Sequence, residues 1–109
     1  MEEKTLREIC EGTGVTRRAV QGYEKAGLIS PSGRNKYGYL LYSRETEERI
    51  KEIRFLQEIG FTVKEIKMFE DAPEEVQKEE LKKKAQKLQA ECERMKVLLA
   101  HLDEMIREL

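Results

Sequence analysis

Tryptophan is absent from this 109-residue chain, and histidine, cysteine and proline are scarce, at one, two and two. Cys10 and Cys92 lie far apart, without a CxxC pair or a Cys/His cluster around them. That spacing excludes a disulfide-dense secreted scaffold and a structural zinc site, and it points to a reducing compartment. The lone histidine, His101, has no cysteine or second histidine nearby in sequence. No metal and no cofactor are therefore expected. No apolar run approaches the roughly 20 residues that a bilayer-spanning helix requires. The opening Met1-Glu2-Glu3-Lys4 lacks the basic and apolar regions of a secretory signal. The expected location is the cytoplasm, with no membrane partner. There is no glycine-rich phosphate loop and no Ser/His or Cys/His pairing, and caps and helix surfaces account for the carboxylates. An enzyme is not expected.

What the chain has is charge. Charged residues make up 39% of it, yet the net charge is only -1. The balance conceals an asymmetry: between Lys4 and Arg44, eight basic residues stand against three acids. Such a basic stretch suits a polyanionic partner if it coincides with an element that can present it.

The hydrophobic and turn patterns supply that element. Thr5 and Glu8 have capping-box spacing, so a first helix starts at Thr5, buries Leu6 and Ile9, and ends at Glu11. A Gly12-Thr13-Gly14 turn follows, Thr16 caps a second helix, and Gly27 stops it. This is the layout of a helix-turn-helix reader whose second helix enters the major groove of double-stranded DNA. Its first turn carries Arg17 and Arg18, cations that oppose the positive end of a helix dipole and that phosphates would compensate. Pro31, Gly33 and Gly38 punctuate the segment from Leu28 to Tyr42, where Tyr37, Tyr39 and Tyr42 favour strands. This segment is expected to form a short hairpin, or wing. Ser43 caps a third helix with Ile50, Ile53, Leu56 and Ile59 on its apolar face, ending at Gly60. Thr62 and Glu65 form a second capping box, flanked by Phe61 and Ile66 at the positions of a hydrophobic staple, so a fourth helix begins at Val63. Asp71-Ala72-Pro73-Glu74 marks a linker or bend, with Asp71 a candidate cap and Pro73 suited to the first turn of a last helix.

That last helix carries a heptad seam. Leu81, Leu88, Met95, Leu102 and Leu109 fall at d, and Ala85, Cys92, Leu99 and Ile106 at a. An unbroken 3.5-residue period to the final residue suits a coiled coil with a second copy of the chain, a homodimer, better than packing on its own domain. Leu98 and Met105 widen the stripe at g in its C-terminal half. The fold class expected is mostly α: residues 1–71 form a reader domain with a small β wing, and 72–109 a dimerisation helix. No effector domain is expected to be appended.

The candidate base contacts are Arg17, Arg18 and Gln21, because Arg and Gln make bidentate contacts in the major groove. Arg18 has an alternative reading, its stem packed on the wing. Thr16 is a cap first and a phosphate contact second. Tyr23 has two readings, a hydroxyl on phosphate or a core aromatic. Arg34, Lys36 and Tyr37 at the wing tip are phosphate candidates. Tyr39 and Tyr42 read mainly as packing between wing and core, with Tyr39 kept among the DNA candidates. Cys10 and Cys92 read as small core hydrophobes. Lys82-Lys83-Lys84 reads as a solvated face.

Several stretches resemble the DNA-binding domain of the MerR family of bacterial transcription regulators: Thr5-Leu6-Arg7-Glu8-Ile9, Gly14-Val15-Thr16, Tyr23-Glu24-Lys25-Ala26-Gly27-Leu28-Ile29, Gly38-Tyr39-Leu40-Leu41-Tyr42-Ser43 and Leu56-Gln57-Glu58-Ile59-Gly60-Phe61-Thr62-Val63-Lys64-Glu65-Ile66. The resemblance covers residues 5 to about 69. It implies a winged helix-turn-helix, two further helices, and a long helix paired antiparallel with its copy in a homodimer. It further implies binding to a dyad-symmetric promoter site, its distortion, and engagement of RNA polymerase there. This chain departs from the family pattern at three places. Gln21-Gly22-Tyr23 stands for an Arg-Tyr-Tyr run, Gly38-Tyr39-Leu40 for Gly-Tyr-Arg, and Gln57 for a basic residue late in the third helix. These departures keep a second reading open, a dimeric coiled-coil interaction protein whose reader is degenerate for DNA.

Overall fold

The structure, a computed structural model, describes residues 3–109. Met1 and Glu2, part of the terminus read above, lie outside the described residues. The chain divides into two compact units, one ending at Asp71 and the other spanning Ala72–Leu109.

The first unit holds helices α1 (Leu6–Thr13), α2 (Arg17–Lys25), α3 (Arg44–Glu58) and α4 (Val63–Glu70), and strands β1 (Lys4–Thr5), β2 (Gly33–Arg34) and β3 (Leu40–Tyr42). A hydroxyl caps each of these helices. Thr5, Thr16, Ser43 and Thr62 accept from the backbone N–H groups of Glu8, Ala19, Thr46 and Glu65, and the Glu8 and Glu65 carboxylates complete capping boxes. These bonds set Glu8 below its ordinary range, chiefly through the backbone N–H of Thr5 and then its hydroxyl.

Helix α1 runs two residues past its expected end, so Gly12 and Thr13 are helical. The Thr13 hydroxyl donates to the Ile9 carbonyl at 2.7 Å and supports the final turn. Gly14, at φ 76°, takes the left-handed stop alone and returns its N–H to Cys10 O at 2.9 Å. The wing is a three-stranded antiparallel sheet in the order β1-β3-β2, not a lone hairpin. Thr5 pairs with Leu41 and Arg34 with Leu40, so the entry to α1 and the wing share one central strand.

Ile9, Val20, Tyr42, Ile50, Ile53 and Ile66 are fully buried, and Phe61 stacks obliquely on Phe69 with ring centroids 5.1 Å apart. Glu47, at the core's margin, accepts from Lys4 Nζ at 2.9 Å and ties α3 to β1. Arg49 pairs with Glu70 and ties α3 to α4. Asp71 closes the C-terminus of α4 and does not open the last helix. Pro73, at ψ 154°, is extended and sits at the N-cap, one position before the first turn.

The second unit is helix α5 (Glu74–Glu108), a continuous rod about 52 Å long at 1.5 Å per residue. None of its residues is buried. Cys92 is exposed, whereas Cys10 packs half-buried against the core of the first unit. The place read for Cys92 is an a position of the seam between two copies, which a single chain leaves exposed. Among the described residues no helix is long and apolar enough to cross a membrane, and no cluster of three or more His, Cys, Asp or Glu is placed to hold a metal.

Candidate nucleic-acid interface

Val20 and Tyr23 turn α2 toward the core, and the opposite face carries Arg17, Arg18, Gln21 and Lys25 in solvent. The first turn of α2 contains no acid. Neither Arg17 nor Arg18 has a hydrogen-bond or ion-pair partner among the described residues. Two unpaired guanidinium groups at the positive end of a helix dipole are unfavourable for the isolated fold.

Between α2 and the wing runs a groove of about 550 Å³. Arg7, Arg17, Gln21, Arg34 and Tyr39 line it, with the half-buried Leu6 and Leu40 as its apolar part. Of the residues singled out from the sequence, it gathers Arg17, Gln21, Arg34 and Tyr39. Arg18, Lys36 and Tyr37 are exposed outside it, so Arg17 and not Arg18 borders the wing. Thr16 is exposed and engaged as a cap, accepting from Ala19 N–H at 3.1 Å.

The wing tip is held by its own polar groups. Asn35 Oδ1 accepts from the N–H groups of Tyr37 and Tyr39 at 2.9 and 3.0 Å, and Arg34 Nη1 donates to Gly38 O at 2.7 Å. Gly38 sits at φ 86°, a conformation that strains any L side chain. Lys36 Nζ lies 5.2 Å from the centre of the Tyr37 ring. Tyr39 is 64% exposed, which corrects its reading as packing between wing and core. Tyr39 precedes β3, and it is Tyr42, the last residue of that strand, that turns into the core.

Tyr23 is 2% exposed, and its hydroxyl donates to Gln57 Oε1 at 2.6 Å. That contact places it in the core. It also gives Gln57 a role, since a lysine or arginine there could not accept this proton. Burial raises the Tyr23 pKa, and the nearby Arg54 partly opposes the shift. Tyr42 is pushed up to about 12, by burial first and then by its hydrogen bond to Glu24 Oε1, 2.9 Å long.

Two basic residues escaped the sequence reading as site residues. Arg7 lines the groove. Arg54 donates from Nη1 to Gly14 O at 2.8 Å and braces the turn between α1 and α2. The local charge excess included Arg7, but no periodicity connects it to the wing.

The family model described as MerR HTH family regulatory protein matches residues 4–72. The chain is 42% identical over 62 residues to nodulation protein NolA of Bradyrhizobium elkanii, a stretch covering 57% of this chain and 28% of that protein. It is 33% identical over 98 residues to the HTH-type transcriptional activator mta of Bacillus subtilis, covering 90% of this chain and 38% of mta. The crystal structure of MtaN, the N-terminus of the Bacillus subtilis multidrug transporter activator, superposes with a TM-score of 0.67 at 31% identity, covering 94% of this chain and 97% of that one. The chain thus spans between about a quarter and two fifths of the length of these curated relatives. With a family match across more than half its length and a winged helix-turn-helix followed by a long helix, the chain belongs to the MerR family of helix-turn-helix regulatory proteins.

Proposed function

We propose that this protein is a cytoplasmic, homodimeric transcription regulator. Residues 1–71 read a dyad-symmetric promoter site in duplex DNA, and residues 72–109 join two copies. The observation that carries this reading is the exposed, unpaired Arg17 and Arg18 pair in the first turn of α2, beside a wing that presents Arg34, Lys36 and Tyr37. Arg17, Arg18 and Gln21 contact base edges, and the wing cations, with Tyr39 beside them, hold phosphates. Thr16 orients α2 as its cap. Tyr23 supports α2 from the core. The relatives named transcriptional activators support an action at promoters, and through it on RNA polymerase.

Selection of bound duplexes from a random pool tests the proposal, with a dyad-symmetric, salt-sensitive site as the expected result. Arg18→Ala is expected to cost about 1 to 3 kcal/mol at that site and to relax its preference. Arg34→Ala is expected to weaken all duplexes alike and to lower the salt slope by about one. Identical behaviour of the two variants would sink the assignment of roles. A stable dimer that selects no duplex would favour the second reading, a coiled-coil interaction protein, for which the open space at Gly22 and the half-buried Leu40 speak.

A further inference from the structure

We infer that Arg7, at the start of α1, is a phosphate-binding residue of the DNA interface. With Arg34 it forms a seat of two guanidinium groups for one backbone phosphodiester, at the margin of the groove that Arg17 crosses toward the bases. The inference rests on the proposed binding of duplex DNA and adds to it a residue outside the reader helix and the wing.

Three features of the groove support it. Arg7, Arg17 and Arg34 all line it, and no carboxylate does. Three like charges around one groove repel one another, and an anion between them reverses the sign of that interaction. The donors are also under-used. Among the described residues Arg7 gives only Nε to Glu11, at 3.3 Å, through side chains 82% and 67% exposed, a pair of little weight in solvent. Arg34 gives Nη1 to Gly38 O, and Arg17 gives nothing among the described residues. Each guanidinium has five N–H donors, so most remain available for phosphate oxygens.

The third feature is placement. Arg7 follows Thr5, which pairs with Leu41 of β3, and Arg34 pairs with the adjacent Leu40 of the same strand. The two arginines are therefore positioned by neighbouring residues of one central strand, from opposite sides of it. Arg17 reaches the groove from the start of α2, where Thr16 fixes the helix. Three separate elements converge on a groove whose remaining polar groups, from Thr5, Gln21 and Tyr39, are neutral hydrogen-bonding ones. For Arg7 and Arg34, which approach from opposite sides, a phosphodiester is a better target than a base edge, because its charge and oxygens can be reached from several directions, whereas a base edge is read in one plane and falls to Arg17 and Gln21 of the reader helix.

The test uses the full chain and a duplex selected from the random pool. Arg7→Gln is expected to weaken binding by about fivefold to tenfold and to lower the slope of log K against log salt by about one, with sequence preference unchanged. Glu11→Gln removes the ion pair that Arg7 makes among the described residues and keeps the arginine's charge, so it is expected to bind at least as tightly as the parent. A scan of single neutral methylphosphonate substitutions is expected to find one phosphate per half-site whose neutralisation weakens the parent but not Arg7→Gln. An unchanged affinity and salt slope for Arg7→Gln would overturn the inference. So would equal losses for Arg7→Gln and Glu11→Gln, which would mark the pair as structural. Saturable binding of inorganic phosphate that Arg7→Gln abolishes, with duplex binding untouched, would assign the groove to a free anion and overturn it as well. A parent chain that binds no duplex would instead remove the proposed function on which the inference stands.

Discussion

At Tyr42, burial and a neighbouring carboxylate act in the same direction: both disfavour the phenolate, and the pKa rises from 10.0 to about 12. A group whose folded pKa is raised stabilises the fold fully below its unfolded value and loses that contribution as pH climbs to the folded one. Stability is therefore expected to fall between about pH 10 and 12, as followed by urea midpoints. Tyr42→Phe should flatten that fall, leaving the part due to Tyr23. An equally steep fall in the variant would remove Tyr42 as its cause. Gly22 poses a different question. It lies in mid-helix without the positive φ of the turn glycines, and a Cβ added there meets nothing within 4 Å. Gly22→Ala is expected to stabilise the protein by about 1 kcal/mol, seen as a higher denaturant midpoint with an unchanged m-value. No gain would mean that the unfolded chain does not profit from this glycine's freedom. Of the two, Gly22 is visible in the sequence itself, as a glycine inside the helix that Thr16 opens and Gly27 stops. The pairing of Tyr23 with Gln57, 34 residues apart, is not, because nothing local connects them.

Elements defined by local chemistry were legible, and elements defined by long-range pairing were not. Thr5, Thr16, Ser43 and Thr62 announce helices because cap and first turn lie within four residues. Lys4–Thr5 is a strand only because Tyr42 and Leu41 lie opposite, and two residues carry no period. For the same reason the basic residues of the reader helix and wing were readable, while Arg7, carried to the groove by that strand, was not. Tyr39 lies one residue before β3 and Tyr42 ends it, so no strand alternation in the sequence separates the outward tyrosine from the inward one. The caps themselves can be tested. Thr62→Ala is expected to cost about 1 kcal/mol, since it leaves the Glu65 N–H unsatisfied and removes one half of a reciprocal pair. Thr16→Ala should cost a similar amount, because its hydroxyl also accepts a first-turn N–H. Thermal denaturation checks both, and a loss at neither site would contradict the role given to the hydroxyls.

For the whole molecule the open matter is what covers α5. Leu99, Leu102 and Ile106 are 58%, 54% and 66% exposed, and none of the residues of α5 is buried. A second copy of α5 is the proposed cover, and its direction follows from the residues of the seam. The a positions are small in the N-terminal half, at Ala85 and Cys92, and large in the C-terminal half, at Leu99 and Ile106. A parallel pair sets small against small and leaves a thin layer, whereas an antiparallel pair sets small beside large and fills the seam evenly. Charge acts in the same sense. Lys78 to Lys87 holds five lysines against Glu79 and Glu80, and His101 to Leu109 holds Arg107 against Asp103, Glu104 and Glu108. Opposite signs meet only when the helices run in opposite directions, although exposed pairs contribute only about 0 to 1 kcal/mol each. Leu102→Asp, which would desolvate a charge in this seam, is expected to dissociate the dimer in sedimentation. A pair centred on Met95, midway between Leu81 and Leu109, sets Cys92 beside Leu98 or Leu99 of the other copy and away from its own counterpart. Mild oxidation is therefore expected to leave the dimer without a disulfide between the two Cys92 residues. Rapid crosslinking on a non-reducing gel, abolished by Cys92→Ser, would overturn that antiparallel register.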